Sequence, residues 1–376
     1  MSDIPSQNTI MLSLIKESGE LEISLARQPM PQPRDHEVLV RVLATPINPS
    51  DLGLLVGGAD VSTAKASQRD GQPLLTAAVP PAGMRAMAGR VGDAMPIGNE
   101  GCGKVVKAGA SPEAQALLGK TVALLGGAMY AEYRCLPAAM CMELPAGTDP
   151  ADGASCFVNP LTALAFTEVM KRDGFTGLVH TAAASNLGQM LVKICAKDNI
   201  PLVNIVRNAE QVALLKSIGA KYVLDSSQES FMEGLVGALS ETGAMLGFDA
   251  IGGGKLAGQI LAAMEQAAVK RMTSYSRYGS DAAKQVYIYG GLDLGPTVLN
   301  RSFGLTWSLS GFLLTPFLAK AGPEVMGRMR KRVVDELTTT FKSHYSQRVS
   351  LAQVLDPATL QAINAKRTGE KYLIQP

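Results

Sequence analysis

The sequence has little charge for its length. Of 376 residues 18% are charged, and 35 basic against 33 acidic side chains leave a formal net charge of +2. About a quarter of the residues is charged in typical globular proteins, and proteins that hold nucleic acid through its phosphates carry a basic surplus. The composition therefore argues against disorder and against nucleic acid binding. It favours a small-molecule substrate or another protein surface as the partner.

Metal-binding and disulfide-forming residues are also scarce. The five cysteines show no C-x-x-C spacing, and the three histidines lie far apart and form no H-E-x-x-H run. We expect no metal site and a reducing compartment. No apolar run reaches 18 residues, and the N-terminus has neither a basic region nor a long apolar core. These features predict a cytoplasmic protein without a membrane span.

The first part of the chain has the pattern of a β-rich domain. Residues 20–25 and 37–43 alternate as antiparallel strands do, and further strand signals follow at 103–107, 121–125 and 131–136. Between them, residues 57–96 are rich in Gly, Pro and small side chains and show no sustained period. This segment is predicted as a long excursion from the core, either a lid or binding loop or a flexible insertion without function.

After residue 152 short apolar strands alternate with amphipathic helices. The predicted strands are residues 177–180, 202–206, 222–224, 246–251 and 285–289. This alternation predicts an α/β domain with a doubly wound parallel sheet, whose ligand site lies at the carboxyl ends of the strands. Mixed helix and strand signals return after residue 311. We therefore expect two domains, one made of residues 1–152 and 311–376 and the other of residues 153–310.

The turn after the first strand of this sheet is the candidate phosphate site. It runs from His180 to Gly188 through HTAAASNLG, and only Gly188 occupies a glycine position of the G-x-G-x-x-G fingerprint. The strand before it, the helix after it and its small residues support a dinucleotide site. The candidate cofactor contacts are Ser185, Asn186, Leu187 and Gly188. The alternative is a glycine that serves close packing in a fold without a cofactor.

The end of the second strand indicates which cofactor is used. Sites for NAD place an acidic residue about 20 residues after the fingerprint, whereas sites for NADP use Arg nearby. Here Arg207 and Asn208 stand at that place. Arg207 can hold a 2′-phosphate by charge-assisted hydrogen bonds, which predicts NADPH over NADH. The alternatives are a solvated Arg207 or one paired with Glu210.

Six segments together resemble the medium-chain dehydrogenase/reductase family, in its zinc-free quinone oxidoreductase and enoyl reductase-like branch. They are EVLVRVLATPINPSDL (37–52), PIGNEGCGKVVKAG (96–109), NPLTAL (159–164), the GLVHTAAASNLG turn, LLKSIGAKYVLD (214–225) and FDAIGG (248–253). They occur in family order and cover most of the chain. The resemblance implies a GroES-like β-rich domain with an inserted Rossmann domain.

The resemblance also implies that zinc is absent. Where the zinc enzymes of the family hold metal ligands, this sequence has Asn48, Asn99 and Leu161. The stretch from residue 52 to residue 100 contains no cysteine, so the lobe that binds structural zinc is missing too.

By resemblance, the reaction is hydride transfer from NADPH to a quinone or an α,β-unsaturated carbonyl. The candidate catalytic residues are Asn48, Thr162 and Tyr130. Asn48 is a donor near the nicotinamide or the cap of a turn, Thr162 a contact of the nicotinamide ribose or a helix-start hydroxyl, and Tyr130 a pocket hydroxyl or a packing residue. Further candidates along the cofactor path, with plain turn geometry as the alternative, are Gly252, Gly253, Gly290 and Gly291.

Two departures from the family keep other functions open. Enoyl-thioester reductases carry a catalytic Tyr soon after the N-P-x-D motif, and none lies between Asn48 and Gly57, which weakens that alternative. Gln211 and Ser226 replace the usual Lys and Tyr around the 2′-phosphate. Because only one glycine of the fingerprint is present, an NADPH-binding regulatory or structural protein remains a third hypothesis.

Residues 304–312 resemble the segment through which the Rossmann sheets of family members pair across a dimer, which predicts a homodimer.

Overall fold

The chain forms two compact units in the structure, a computed structural model that describes residues 4–376. The first unit comprises the chain up to Val158 together with Val333–Pro376, and the second comprises Asn159–Arg332. The chain returns to the first unit later than the predicted residue 311. The reason is that residues 307–311 form a strand of the second unit's sheet, and most of the helical segment that follows belongs to the same unit.

The N-terminal part of the first unit contains ten strands, four short helices and two 3-10 turns among its described residues. In chain order the strands and helices are β1 (Gln7–Lys16), β2 (Glu20–Pro29), β3 (Glu37–Pro46), α1 (Pro49–Leu55), β4 (Asp60–Arg69), β5 (Gln72–Ala78), α2 (Pro81–Ala86), β6 (Ala94–Pro96), β7 (Glu100–Ala108), α3 (Pro112–Ala116), β8 (Thr121–Leu125), β9 (Tyr133–Pro137), β10 (Cys141–Glu143) and α4 (Pro150–Gly153). The 3-10 turns are Ala88–Arg90 and Ala138–Met140.

These strands build two largely antiparallel sheets. The first has the order β4-β5-β2-β1-β6, and in the second β10, β8, β7 and β3 are consecutive neighbours while β9 also pairs with β3. The strands predicted at β2 and β3 are confirmed, but burial does not alternate along them. On β3, Val38, Leu39, Val40 and Val42 are buried and Arg41 is exposed, so part of this strand is covered on both faces.

Residues 57–96, predicted as an irregular excursion, are mostly regular structure. They contain the hairpin of β4 and β5, which extends the first sheet because β5 pairs with β2. They also contain α2, a 3-10 turn and β6, which pairs with β1. The segment is therefore an extension of the sheet and not a long loop.

The second unit is an α/β domain. Its elements are α5 (Val158–Arg172), β11 (Leu178–His180), α6 (Asn186–Lys197), β12 (Leu202–Val206), α7 (Ala209–Ser217), β13 (Tyr222–Asp225), α8 (Phe231–Thr242), β14 (Leu246–Asp249), β15 (Gly252–Gly254), α9 (Leu256–Val269), β16 (Lys284–Ile288), β17 (Asp293–Thr297), β18 (Trp307–Gly311) and α10 (Leu314–Asp335). The helical segment α10 is broken at Gly322, which has φ +85° and is followed by Pro323.

Six parallel strands form the main sheet, in the order β13-β12-β11-β14-β16-β18. Numbered along this sheet the order is 3-2-1-4-5-6, the dinucleotide-binding arrangement of a Rossmann fold. The predicted fold class is confirmed. The sequence predicted five of these strands and missed β18 as a member of the sheet. β15 and β17 form a separate parallel pair.

The C-terminal residues complete the first unit. They contain β19 (Gln347–Val349), α11 (Leu351–Val354), α12 (Pro357–Asn364) and β20 (Tyr372–Ile374). β20 pairs antiparallel with β3, and β19 pairs parallel with β20, so the second sheet reads β10-β8-β7-β3-β20-β19. Within residues 4–376, no helix combines the length and apolar character that crossing a membrane requires.

Candidate functional site

The first candidate site lies where the strand order of the parallel sheet reverses, between β11 and β14. In folds of this kind ligands bind outside the carboxyl ends of the strands at this point. The buried Thr181 follows β11 and donates its hydroxyl to Asp249 Oδ1 at 2.6 Å. The Asp249 carboxylate also accepts the backbone N–H groups of Ile251 at 3.0 Å and Gly252 at 3.1 Å. One buried carboxylate thus fixes the ends of two neighbouring strands.

The turn from β11 into α6 is closed by its own backbone. Ser185 caps α6, and its Oγ accepts the N–H of Gly188 at 3.1 Å. A Cβ added to Gly188 would lie 2.1 Å from the carbonyl oxygen of Ala183, so only glycine fits there. Asn186 begins the helix and Leu187 is buried. Close packing thus explains why position 188 is a glycine. The backbone against which Gly188 packs is that of its own turn, at Ala183, and not that of a neighbouring strand.

Ala182 has an unusual backbone conformation in the same turn. Its φ is +48°, the left-handed region that favours glycine. The nucleotide-binding fingerprint places glycine in such a turn so that the chain can bend tightly. This chain makes the bend with alanine and holds it with the hydrogen bond from Ser185 N to Ala182 O at 2.9 Å.

Arg207 lies directly after β12 and is exposed. Its backbone N–H donates to Gln211 Oε1 at 3.0 Å, and Asn208 caps α7 by accepting the N–H of Gln211 at 2.9 Å. Ser226 N donates to Val206 O at 2.8 Å. The residues predicted around a 2′-phosphate therefore meet at one strand end. Among the described residues the Arg207 guanidinium has no hydrogen-bond or ion-pair partner, and the alternative pairing with Glu210 does not form.

The four candidate glycines all lie near this edge of the sheet, and protein contacts account for three of them. Gly252 has φ +83°, and a Cβ on it would lie 2.8 Å from Gly290 O. A Cβ on Gly253 would lie 2.6 Å from Cγ of Asp293, and one on Gly290 would lie 2.6 Å from Ala250 O. Gly291 has more room. That these glycines line a cofactor path stays a prediction.

A groove opens at the carboxyl ends of β16 and β18. Its volume is about 500 Å³, and it is lined by Ile288, Tyr289, Gly290, Gly311, Phe312, Leu313 and Pro316. The hydroxyl of one lining residue, Tyr289, lies 2.7 Å from Nε2 of His180, and burial lowers the pKa of His180 to about 3. The imidazole is therefore neutral at physiological pH, and this end of the sheet offers an apolar wall. Thr162 lies buried on α5 in the same unit, and its proposed contact with the nicotinamide ribose stays a prediction.

The second candidate site is a buried polar cluster in the first unit. Asn48 caps α1, is 1% exposed, and donates its Nδ2 to Glu100 Oε1 at 2.7 Å. The Glu100 carboxylate also accepts the N–H groups of Phe157 at 2.8 Å and Val158 at 3.0 Å. Asn48 is therefore held against a carboxylate as well as capping a helix, and its role as a donor to substrate stays a prediction.

Asp51 and Tyr130 complete the inner side of this cluster. Asp51 accepts the backbone N–H of Asn48 at 2.8 Å and that of Asn99 at 3.0 Å. Burial, with a contribution from Glu100, raises the pKa of Asp51 to about 7. Tyr130 is fully buried in the apolar core of this unit, and its hydroxyl lies 3.4 Å from Pro46 O. This environment fits the packing role that the sequence left open, and a role of Tyr130 at the pocket stays a prediction.

Lys371 and Ser155 were missed by the sequence analysis. Lys371 precedes β20 and donates from Nζ to Ser155 Oγ at 2.7 Å, and that Oγ lies 3.5 Å from Glu100 Oε1. Nζ also lies 5.5 Å from the ring centre of Tyr345. Burial lowers the pKa of Lys371 to about 8, although Glu100 and Asp51 act in the opposite direction. No local motif marks this lysine, because its partner Ser155 is 216 residues away in sequence.

Among residues 4–376 no group of three or more His, Cys, Asp or Glu side chains is placed to hold an ion. At two of the family's ligand positions stand Asn48, bound to Glu100, and Asn99, whose Nδ2 donates to Ser50 Oγ at 3.1 Å.

Comparisons with known proteins agree with this fold. Residues 34–146 match the alcohol dehydrogenase GroES-like domain. A solved structure, a putative NADPH:quinone reductase from Mesorhizobium loti, is 26% identical, covers 100% of both chains and has a TM-score of 0.74. These similarities agree with the resemblance to the medium-chain dehydrogenase/reductase family.

Curated relatives match only part of the chain. Prostaglandin reductase-3 from Bos taurus is 26% identical over 231 residues, which is 61% of this chain and 53% of that protein. The mitochondrial enoyl-[acyl-carrier-protein] reductase from Xenopus tropicalis is 26% identical over 203 residues, 52% of this chain and 50% of that protein. The chain therefore spans about half the length of the curated relatives that it matches.

Proposed function

We propose that this protein is an NADPH-dependent, zinc-independent oxidoreductase that reduces a quinone or an α,β-unsaturated carbonyl in a small molecule. The observation that carries the proposal is Arg207. It is an exposed cation, without a partner among the described residues, at the end of the second strand of a 3-2-1-4-5-6 sheet. This is the place where such folds bind the group that distinguishes the two cofactors.

The residues of the second unit fit a phosphorylated dinucleotide. The N-terminus of α6, a helix of 12 residues, offers backbone N–H groups and the positive end of its dipole to a pyrophosphate. Ser185, Asn186 and Leu187 would hold that group, and Arg207 with Asn208 would hold the 2′-phosphate. When bound, NADPH supplies the hydride. The protein has to hold the substrate, favour the charge that develops on its oxygen and exclude water.

Two observations support the substrate class. The name of the Mesorhizobium loti structure, which matches the whole chain, is that of a quinone reductase. The groove lined by Tyr289 and Phe312 suits an uncharged substrate better than a charged one, since no charged side chain lines it. A second candidate is 2-enoyl-thioester reduction, which the similarity to the mitochondrial enoyl reductase favours. The absence of Tyr between Asn48 and Gly57 counts against it.

The preference for NADPH over NADH tests the role proposed for Arg207. We expect Arg207→Glu to lower kcat/KM for NADPH by about 10- to 100-fold relative to NADH, because a hydrogen bond to a charged group contributes about 1.5–3 kcal/mol. The measurements are steady-state kinetics with both cofactors and calorimetric binding of each. Arg27→Glu makes the same charge change at an exposed residue of the other unit and serves as the control.

Two results would contradict the assignment of NADPH as the cofactor. One is equal binding of NADPH and NADH by the wild type, and the other is a preference for NADPH that Arg207→Glu leaves unchanged. If NADPH binds but no quinone, enone or enoyl thioester in a panel is reduced, the regulatory or structural hypothesis replaces the enzymatic one.

We further propose that the protein is a homodimer and that it holds no zinc. Support for the dimer comes from β18, which forms the end of the parallel sheet. Support for zinc independence comes from the amide of Asn48 at a ligand position. Stoichiometric zinc by elemental analysis would contradict the second proposal.

A further inference from the structure

The turn between β11 and α6 takes its left-handed bend at an alanine and not at a glycine. A backbone conformation of this kind persists only where the surrounding contacts hold it. Ala182, with φ +48°, follows the buried Thr181, and its carbonyl oxygen accepts the N–H of Ser185. The bond from Ser185 closes the turn on its helix side. Thr181 therefore has to supply what holds the turn on its strand side.

The Thr181 hydroxyl makes two hydrogen bonds to the segment that follows β14. It donates to Asp249 Oδ1 at 2.6 Å and accepts the N–H of Ala250 at 2.8 Å. A hydroxyl group has one donor and can accept as well, so this side chain uses both capacities within the protein. Its partners lie 68 and 69 residues further along the chain. The hydroxyl therefore joins two loops that are far apart in sequence.

The Asp249 carboxylate extends this connection along the second loop. Its Oδ1 also accepts the N–H of Ile251 at 3.0 Å, and its Oδ2 accepts that of Gly252 at 3.1 Å. Thr181 and Asp249 are both 0% exposed, and a buried carboxylate is stable only where hydrogen-bond donors of this kind surround it. Three successive N–H groups, those of residues 250–252, therefore depend on these two side chains.

The connected loops border the place where the proposed cofactor would bind. β11 and β14 are neighbours in the parallel sheet, with His180 opposite Phe248, and the strand order reverses between them. Ligands of this fold lie outside the strand ends at that point. The loop after β11 is one side of the crevice and the loop after β14 is the other. A change in either loop therefore changes the shape of the site.

We propose that Thr181 is a positioning residue for cofactor binding, which acts through Asp249 and holds both loops of the crevice in their binding conformation before the cofactor is present. The inference rests on the proposed function, because it concerns the NADPH site. Loops that are already ordered lose little entropy when a ligand binds, and the affinity is correspondingly higher. In the fingerprint of this fold glycine allows the tight turn. Here a side-chain hydrogen bond between two strand ends has that task.

Removal of the Thr181 hydroxyl tests this proposal. Thr181→Val keeps the shape of the side chain but makes neither hydrogen bond. If the two loops then occupy the binding conformation for about a tenth of the time, the apparent Kd for NADPH rises about 10-fold. Thr181 is one strand away from Arg207, so the Kd for NADH should rise by the same factor. Calorimetric titration of both cofactors measures these changes, at a temperature where each variant is folded.

Two further variants separate positioning from stability. Thr181→Ser keeps the hydroxyl and should retain a Kd within about twofold of the wild type. Thr167→Val removes another buried hydroxyl of the same unit, 1% exposed, which donates to Leu164 O at 2.8 Å within α5. This control loses a buried hydrogen bond outside both loops, so it should lower the stability but not the affinity.

Hydrogen exchange in the apo protein gives a readout without cofactor or turnover. In the wild type, the amides of residues 250–252 should exchange at least about 100-fold more slowly than in an unstructured peptide, because all three are bonded to the two buried side chains. In Thr181→Val this protection should be almost lost, and in Thr181→Ser it should be kept. The wild-type measurement needs no variant, so it still decides if Thr181→Val does not fold.

The possible results distinguish the inference from the function on which it rests. If the wild type binds NADPH but Thr181→Val changes its Kd by less than about threefold, or by no more than Thr167→Val does, Thr181 is not a positioning residue and the cofactor assignment stands. Unprotected amides at residues 250–252 in the apo wild type would also overturn the inference. If the wild type binds neither NADPH nor NADH, the proposed function fails and the role of Thr181 fails with it.

Discussion

Ala182 is the residue at which the turn from β11 into α6 departs most from ordinary backbone geometry. A left-handed conformation costs an L-residue about 1–2 kcal/mol, whereas glycine adopts it freely but loses more entropy on folding. We therefore predict that Ala182→Gly stabilises the protein by about 0.5–1 kcal/mol. Denaturant unfolding measures this as a higher midpoint with an unchanged slope.

Ala184 provides the matched control for this prediction. It lies in the same turn, is 2% exposed and is not among the residues with positive φ. Ala184→Gly should therefore destabilise the protein, by about 1 kcal/mol. If both substitutions change the midpoint in the same direction, strain at Ala182 is not the cause.

Candidate site residues could be predicted from the sequence where a local motif or spacing indicates their role. Arg207 and Gly188 follow from their spacing after strands, because the fold places each strand end at the same edge of the sheet. Lys371 and Ser155 were not predictable, because their contact depends on β20 joining β3 after the whole second unit has intervened. A single lysine before a short strand carries no signal of that contact.

At the scale of elements, the Asp51 carboxylate links the short helix α1 to the turn before β7 by hydrogen bonds. It accepts N–H groups from Asn48 and Asn99 and titrates near 7 in the folded state, against about 3.9 when unfolded. Because the folded pKa is raised, the folded protein binds more protons between these values. The free energy of unfolding should therefore fall as pH rises from about 4 to 7.

Asp51→Asn provides the test of this pH dependence. The variant should lack the part of the decrease between pH 4 and 7 that Asp51 contributes, which urea unfolding at several pH values measures. It should also be less stable at pH 4, because the Asn amide places an N–H donor against a backbone N–H. Glu113→Gln, at an exposed carboxylate in the first turn of α3, controls for the loss of a charge near a helix start. An unchanged pH dependence in Asp51→Asn would show that Asp51 is ionised throughout.

The hairpin of β4 and β5 shows why some elements escape prediction. β4 is an edge strand, and eight of its ten residues are exposed, so apolar and polar residues do not alternate along it. Without one buried face the period of two disappears, although the backbone still pairs with β5. β18 was missed for a related reason: it is short, lies at the end of its sheet and is only partly buried.

At the scale of the whole molecule, the division into two domains could be predicted from the change in the pattern of strand and helix signals along the chain. β-rich patterning followed by alternating strands and helices was sufficient to predict both domains and their class. The second boundary could not be predicted in the same way, because it falls inside α10, between Arg332 and Val333, and not at the end of an element. Helical periodicity contains no information about which core a helix packs against.

The parallel sheet of the second unit is the basis of a prediction about the oligomeric state. β18 pairs with β16 on one side and has no strand on the other among the described residues. Phe312 N donates to Ile288 O at 2.8 Å, and N–H directions alternate along a strand, so the N–H of Leu309 points away from β16. An exposed strand edge of this kind is a template for pairing with a second chain.

We therefore predict a symmetric dimer in which two copies of β18 pair, which light scattering should show as twice the monomer mass. Leu309→Pro removes the central one of the three outward N–H groups of β18, those of residues 307, 309 and 311, while leaving the pairing with β16 intact, since proline is tolerated at such edge positions. This variant is expected to be a folded monomer, whereas Leu309→Val keeps the N–H and should remain dimeric. A monomeric wild type would contradict the dimer itself. A Leu309→Pro variant that stays dimeric with unchanged stability would show that the contact lies elsewhere, because a proline at the centre of this edge prevents regular pairing of two β18 strands.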